Sequence, residues 1–457
     1  METEIREQGD YAAFLSKKSQ MGSSEGFKPV WMPEFLFGFQ QHLSDWGIRK
    51  GRGALLEDCG LGKSVQQLVW AENVVRHTNR PVLILTPLAV SFQTVLEAEK
   101  FGMEAVRSHG KIQPGARIVV TNYEQLHKFS ACDFAGVVAD ESSRIKAFDA
   151  KTCAAVVDFM RPIPYRLLCT ATAAPNDYPE FGTSAEALGV CRRVDMLHRY
   201  FTHDSADTGK WRLKKHAARA AFWQWMGSWA RAIRFPSDLG FPDEGFQLPP
   251  LVEQQHVVRS STLREDLLFP IDAIGLAEQR AERRATLTDR CEKVAELINP
   301  TGKPAIAWCH LNVEGDLLEK LIPGAIQVSG KDSDDAKEEK LLSFVRKQAR
   351  VLIIKPKIGA HGLNLQHCAH MTTFSSNSFE EDYQQVRRCY RFGQTSPVRV
   401  DRIVTEGERR VIRNLQQKAK QAEAMYTALI KAMGETVYMP RTATLPTQPV
   451  TIPPWLH

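Results

Sequence analysis

The chain has 457 residues, enough for two or three domains, each with its own core. A hydrophobic fraction of 43% with 25% charged residues excludes a low-complexity or natively unfolded chain, and no apolar run reaches the roughly 20 residues of a membrane-spanning helix. The 59 basic and 53 acidic residues leave a net charge of only +6, so the placement of charge says more about a polyanionic partner than its size does. Nine cysteines without a Cys-x-x-Cys pair predict reduced thiols and a cytoplasmic setting, and Glu2, Glu4 and Glu7 with no apolar stretch behind them predict no secretory signal. His361, His367, Cys368 and His370 cluster at a spacing that fits no common zinc module.

Residues 1–28 are polar and of mixed charge and read as a flexible or loosely docked leader. Phe35 to Gln40 follow, then Leu43 and Trp46. Phe39 and Gln40 read either as a ring and amide that face an adenine base or as part of an aromatic core. Ala54-Leu55-Leu56 is a short apolar strand that runs into Glu57-Asp58-Cys59-Gly60-Leu61-Gly62-Lys63-Ser64, and Leu61, Val65, Leu68 and Val69 then recur with helical spacing. Strand, glycine loop, helix reads either as a phosphate cradle or as a glycine turn before an ordinary helix; as a cradle it has the following parts. Gly60, Leu61 and Gly62 let backbone N–H groups approach a phosphate chain, Lys63 reaches the terminal phosphates and Ser64 ligates Mg²⁺. Glu57 stands where the strict Walker pattern has its first Gly.

Further apolar runs end in polar residues: Val82–Leu85 in Thr86-Pro87, Ile118–Val120 in Thr121-Asn122-Tyr123, Gly136–Ala139 in Asp140-Glu141, and Leu167–Cys169 in Thr170-Ala171-Thr172. In an open parallel sheet such ends line one crevice, which predicts a doubly wound α/β lobe. Asp140 is placed to hold Mg²⁺ and Glu141 to orient water. Residues 180–247 interrupt the pattern: Lys210, Arg212, Lys214 and Lys215 are phosphate-contact candidates, whereas Phe222, Trp225, Met226 and Trp229 fall at the spacing of a buried helix face. Residues 248–300 read as a linker and helical region. A second α/β set follows over 301–434, with strands at 305–309, 325–328 and 351–354 and a final helix at 406–433. Residues 435–457 form a Pro-rich tail.

Two stretches of the second set carry a family pattern. Lys355 to Leu365 contains Gly362-Leu363-Asn364-Leu365, and Gln384 to Gln394 contains Arg388 and Arg391 at helical spacing before Phe392-Gly393-Gln394. Two guanidinium forks three residues apart on a helix reach one place, where they can neutralise a transferring phosphoryl group. The second stretch resembles the arginine-finger motif of superfamily 2 helicases, and its ending resembles the Swi/Snf-related branch. In order along residues 35–430, the resemblance implies that Phe39 and Gln40 read adenine, that Gly60, Gly62, Lys63 and Ser64 bind phosphates, and that Asp140 and Glu141 serve metal and water. It implies nucleic-acid contact for Thr86, Pro87, Asn122, Tyr123, Thr170, Thr172, Ser329, Gly330 and Asn364, and a nucleotide role for Gly362 and Gln384 beside Arg388 and Arg391. The chain departs from the pattern at Ser142-Ser143, at Ala173, where Pro is usual, and at Arg387, where Gly is usual.

The expectation is two tandem RecA-like lobes with a helical basic insertion. They form a monomeric ATP- and Mg²⁺-dependent translocase or helicase on DNA, duplex rather than single-stranded. The compact form resembles helicases of bacteriophage genomes, which implies the host cytoplasm. An RNA helicase on the same scaffold and a non-catalytic DNA-binding adaptor are the alternatives.

Overall fold

Apolar runs without polar alternation need cover on both faces, and both sheets of this protein have it. The computed structural model describes residues 22–147, 150–172, 178–203, 211–215, 217–258, 282–359, 364–376, 378–405 and 408–437. The first lobe contains β1 (Arg52–Glu57), β2 (Val82–Thr86), β3 (Ala105–Arg107), β4 (Ile118–Asn122), β5 (Gly136–Asp140) and β6 (Tyr165–Thr170). A small antiparallel hairpin, β7 (Phe201–His203) with β8 (Trp211–Leu213), stands apart, and β9 (Ala230–Ile233) returns to the sheet. The order is β3-β4-β2-β5-β6-β1-β9, with every pairing parallel. Along β1, Ala54 and Leu56 enter one hydrophobic cluster and Leu55 the other, so alternate residues of one apolar run feed two cores.

The second lobe is also all parallel, in the order β10-β15-β14-β11-β13-β12. Its strands are β10 (Leu251–Val258), β11 (Ala305–Trp308), β12 (Ala325–Val328), β13 (Val351–Ile354), β14 (His370–Phe374) and β15 (Val398–Thr405). Two RecA-like α/β lobes therefore stand in tandem, as the strand ends imply. Among the described residues no helix is long and apolar enough to cross a membrane.

Several assignments shift in three dimensions. The stretch read as a linker supplies β10, which pairs over its whole length with β15, and the stretch read as an insertion supplies β9, which closes the first sheet against β1. Part of the leader is docked: Glu25, Gly26 and Phe27 donate backbone hydrogen bonds to Lys50, Arg49 and Ile48, and the Phe27 ring stacks on His77 at 3.8 Å. Residues 1–21 and 438–457, with most of the Pro-rich tail, lie outside the described residues. Phe222, Trp225, Met226 and Trp229 are fully buried, so they serve the core and not a base-stacking surface.

The final helix, Arg409–Val437, crosses back to the first lobe. Met425, Tyr426, Leu429 and Met433 form its apolar stripe and join the cluster that holds Trp225 and Trp229. The backbone N–H of Ala232 on β9 meets Met433 Sδ at 3.0 Å, and the Tyr426 hydroxyl donates to the Ala171 carbonyl. Periodicity shows such a stripe. Which lobe receives it depends on where an open sheet edge and a facing helix lie.

Candidate nucleotide site between the lobes

β1 ends at Glu57, and the chain turns through Gly60 (φ 93°) and Gly62 (φ 86°) into the helix Lys63–Thr78. Both glycines occupy left-handed backbone, and close neighbours forbid a side chain as well. A Cβ on Gly62 would lie 2.3 Å from Gln40 Nε2, and one on Gly60 would lie 2.7 Å from the Phe392 backbone nitrogen. The helix is buried continuously from Val65 to Val75 and stops at Asn79, which takes the left-handed conformation (φ 52°) and returns its N–H to the Val75 carbonyl. Burial of Leu68, Val69 and Val74 contributes about 1.5–3 kcal/mol each, which anchors the loop from below.

Lys63 lies folded back on the loop: its Nζ donates to the Glu57 carbonyl (2.8 Å) and the Asp58 carbonyl (3.0 Å). Ser64 sits half-buried in the first helical turn. Gln40 does not present its amide to a base: Nε2 donates to the Leu61 carbonyl (2.9 Å), and Oε1 accepts from the Phe37 N–H (3.1 Å). Phe39 is 2% exposed within the core. The adenine-reading expectation for Phe39 and Gln40 thus gives way to a loop-bracing role, because a buried amide must spend its donors and acceptors inside the protein. Phe35 and Phe37, 44% and 48% exposed, are the rings left at the surface there.

The acids converge on the same loop. Asp140 ends β5, and its Oδ1 accepts from Gln67 Nε2 at 2.7 Å. Glu141 adopts left-handed backbone (φ 48°), an uncommon and costly state for a non-glycine, and its buried Oε2 has no hydrogen-bond partner. Burial, followed by the neighbouring Glu141 charge, pushes Asp140 up to about 7. Burial likewise pushes Glu57 up to about 7, against the opposing pull of Lys63 and the Gln66 hydrogen bond. Buried carboxyls held near neutrality beside an unpartnered Glu141 oxygen fit a divalent cation and a polyphosphate. Asp140 and Ser64 are the residues that would hold such a cation, and Lys63 with the loop N–H groups those that would take the phosphates.

The second lobe brings its arginines to this seam. The helix Phe379–Cys389 is capped by Ser378, whose Oγ accepts from Glu381 N–H at 3.3 Å, with Glu380, Glu381 and Asp382 in its first turn and Arg387 and Arg388 in its last. Arg388 is 2% exposed. Its Nε donates to the Gln384 carbonyl (3.1 Å), one Nη donates to Gln384 Oε1, and the same Nη lies 4.0 Å from Glu141 Oε1 and 3.8 Å from Cys59 Sγ. The Arg391 Cβ and the Phe392 backbone nitrogen pack on Gly60. Burial, then the nearby Arg388 charge, lowers the pKa of Arg391. Residues more than 320 positions apart therefore share one buried site.

The nucleic-acid candidates divide. Pro87 and Gly330 face each other across an interlobe cavity of about 160 Å³ whose walls include Arg107, Arg144, Lys337 and Lys357, and Arg107 spans it to Glu338 at 2.8 Å. Arg212 and Lys215 are exposed on and after β8. Thr86 is buried, with Oγ1 donated to the Thr121 carbonyl. Asn122 caps the following turn by accepting from Gln125 N–H (3.0 Å), and Tyr123 is buried with its hydroxyl on the Asp140 carbonyl (2.7 Å). Thr170 and Thr172 are buried at the seam, where Thr172 Oγ1 meets Ser143 Oγ (3.3 Å) and Glu380 Oε1 (2.9 Å). Lys214 Nζ donates to the His198 and Arg199 carbonyls and so caps a helix end. As placed, Thr86, Asn122, Tyr123, Thr170, Thr172 and Lys214 are structural or interlobe residues, since burial or capping uses up the groups a phosphate would need. Ser329 closes a local turn with Asp332 and Lys331, and Asn364 Oδ1 is buried without a partner. Gly362, Lys210 and Ala173 lie outside the described residues.

Sequence reasoning passed over Gln66, Gln67, Asp58, Tyr383 and Arg387. The first two carried a signal, a polar pair next to the apolar Leu68-Val69-Trp70-Ala71 run of the loop helix. The others meet only across the seam.

No family model matches the chain. It is 22% identical over 431 residues to the chromatin structure-remodeling complex subunit snf21 of Schizosaccharomyces pombe, covering 78% of this chain and 36% of that protein. It is 19% identical over 426 residues to the SWI/SNF chromatin-remodeling complex subunit snf22 of the same organism, covering 78% and 25%. The chain thus spans about a third and a quarter of those relatives. The Sulfolobus solfataricus SWI2/SNF2 ATPase core in complex with dsDNA aligns at a TM-score of 0.42 with 15% identity, over 89% of this chain and 96% of that one, and a superposition that loose carries no inference.

Proposed function

We propose that this chain, a Swi/Snf-related helicase/ATPase of superfamily 2 by its ordered motifs and its curated relatives, is a DNA-dependent ATPase that moves along or remodels duplex DNA. The observation that carries the reading is the meeting of Arg388 with Glu141 and the glycine loop across the lobe seam. ATP hydrolysis needs a water-orienting carboxylate on one side of the phosphoryl group and fixed positive charge on the other, and these two residues supply them from different lobes. Ser64 and Asp140 would hold Mg²⁺, which would supply charge neutralisation at the phosphates. Gln67 orients the Asp140 carboxylate, and Gln66 braces Glu57 beneath the loop. Lys63 leaves the Glu57 and Asp58 carbonyls for the phosphates.

The seam also supports a route from nucleotide to DNA. Thr172, two residues after β6, touches Ser143 behind Glu141 and Glu380 on the arginine helix, so a change in lobe closure reaches both sides at one hydroxyl. The cavity between Pro87 and Gly330, walled by Arg107, Arg144, Lys337 and Lys357, is the phosphate track, with Arg212 and Lys215 as outlying contacts. We place the protein in the cytoplasm as a monomer that tracks duplex DNA without full strand separation.

The test is steady-state ATPase activity without nucleic acid and with duplex, single-stranded and forked DNA and structured RNA, each titrated with salt. Duplex DNA is expected to stimulate most, with stimulation falling as salt rises. Stimulation by RNA alone reassigns the chain to RNA, and no turnover under any condition makes it a binding adaptor.

A further inference from the structure

The arginine helix and the glycine loop meet residue for residue. Arg387 Nη2 donates to Asp58 Oδ2 at 2.8 Å, and one Nη of Arg388 lies 3.8 Å from Cys59 Sγ. Past the helix end, Arg391 Cβ and the Phe392 backbone nitrogen pack on Gly60. Arg387, Arg388 and Arg391 in chain order thus face Asp58, Cys59 and Gly60 in chain order, so the two elements have a register.

Asp58 is where that register is locked. Its Oδ1 accepts from the Cys59 N–H at 2.6 Å, which shapes the loop, and from the Tyr383 hydroxyl, one helical turn before Arg387. The Arg387 guanidinium is fixed on its own helix as well. It lies 5.1 Å from the centre of the Tyr383 ring and 5.3 Å from that of Tyr390, the residues at i−4 and i+3. Arg388 leaves the helix about 100° round from Arg387. Its Nε and one Nη donate to Gln384 of the same helix, so its place relative to Glu141, 4.0 Å away, follows where the helix lies on the loop. The Arg387 and Asp58 side chains are 19% and 10% exposed. A buried ion pair returns little net stability, because desolvation offsets most of its attraction, and its best-attested use is to fix a register. Arg387 is also a position at which the chain departs from the family pattern.

We infer that Arg387 and Tyr383 are positioning residues that bind Asp58, set the register of the arginine helix on the glycine loop and so place Arg388 opposite Glu141 for hydrolysis. The inference rests on the ATPase reading above and adds the contact that aligns its two halves. Without the contact every reacting group remains on its own element, but the helix shifts on the loop, and a displacement of about 1 Å costs as much as 10²-fold in rate. The loss falls on kcat, because Arg388 acts on charge that develops in the transition state.

The experiment is ATP turnover with Mg²⁺ in the full chain, with and without duplex DNA, with kcat and KM measured separately and folding checked by melting temperature. Arg387→Ala and Asp58→Asn are each expected to lower kcat about tenfold and to change KM less than about twofold. Combined, they are expected to cost no more than either alone, because both remove one contact. Arg387→Lys keeps a charge within reach of Asp58 and is expected to recover most of the rate. Tyr383→Phe removes one hydroxyl without opening a cavity, is expected to lower kcat about threefold, and decides the matter if Arg387→Ala fails to fold. The discriminating variant combines Arg387→Ala, or Tyr383→Phe in its place, with Arg388→Ala. Once the positioned residue is gone, loss of the contact is expected to cost nothing further, within about twofold. Parental kcat in the folded single variants, a KM rise as large as the kcat fall, or a combined loss that multiplies the two single losses overturns the inference. Lys63→Ala separates this from failure of the ATPase reading. Turnover lost in Lys63→Ala beside a parental rate in Arg387→Ala overturns the positioning role alone, and parental turnover in Lys63→Ala overturns the ATPase reading.

Discussion

The two edges of the lobe seam are built differently. On the edge proposed to bind nucleotide, Glu57, Asp140, Glu141, Gln384 and Arg388 are each at least 90% buried, and Glu57 Oε1, Glu141 Oε2 and Gln384 Nε2 have no hydrogen-bond partner in the protein. On the other edge, Arg107, Arg144, Lys337 and Glu338 are half-exposed around a small cavity, with one ion pair across it. Burial raises the worth of fixed charges and makes their geometry exacting, which suits bond cleavage. Solvated charges are weak and exchangeable, which suits the phosphate track proposed there.

That contrast is broken first at the buried edge. Lys63→Ala or Glu141→Gln is expected to lower ATP turnover by at least about a hundredfold with little change in melting temperature; parental rates in both remove the ATPase assignment. Arg388→Ala is expected to reduce kcat by about 10²–10³ while ATP affinity shifts only a few-fold, since the arginine acts on charge that develops in the transition state. Equal losses in affinity and kcat give it a binding role instead.

Glu57 sharpens the comparison through pH. Its pKa is raised to about 7 in the folded protein, so a proton is held more tightly folded than unfolded. The stabilising share of that proton is complete below the usual carboxylate range and is lost as pH rises through about 7. Glu57→Gln is therefore expected to gain stability over the parent at pH 8, on the order of 1–3 kcal/mol, and to lose that advantage at pH 4, read from urea midpoints. The smallest effect belongs to the solvated edge. Arg107→Ala is expected to weaken duplex binding a few-fold and to reduce the salt slope by about one, with no change in DNA-free ATPase activity. An unchanged slope takes Arg107 off the phosphate track.

Local chemistry made some of this legible early. Gly60 and Gly62 before Lys63, Asp140 at the end of an apolar run, and Arg388 and Arg391 at helical spacing are each a short pattern with one physical use. Strand-end position was a poorer guide. Asn122 and Tyr123 look like surface residues from their place at the end of β4, but Asn122 is needed to cap a turn and Tyr123 to satisfy the Asp140 carbonyl. Gln40 looks like a base reader from its place before the loop, but the Leu61 carbonyl needs its amide.

The sequence by itself determined the two parallel sheets, because unbroken apolar runs separated by helical spacing leave no other arrangement that covers both faces. It also determined which residues bear charge at the strand ends. Only the tertiary structure decided which charges meet. Arg388 reaches Glu141, Arg387 reaches Asp58, and Met425 to Met433 dock on the first lobe. Each of these contacts spans more than 190 residues, and no local preference encodes a partner at that distance. The partner is chosen when the lobes close and desolvation leaves each buried charge one place to find its complement.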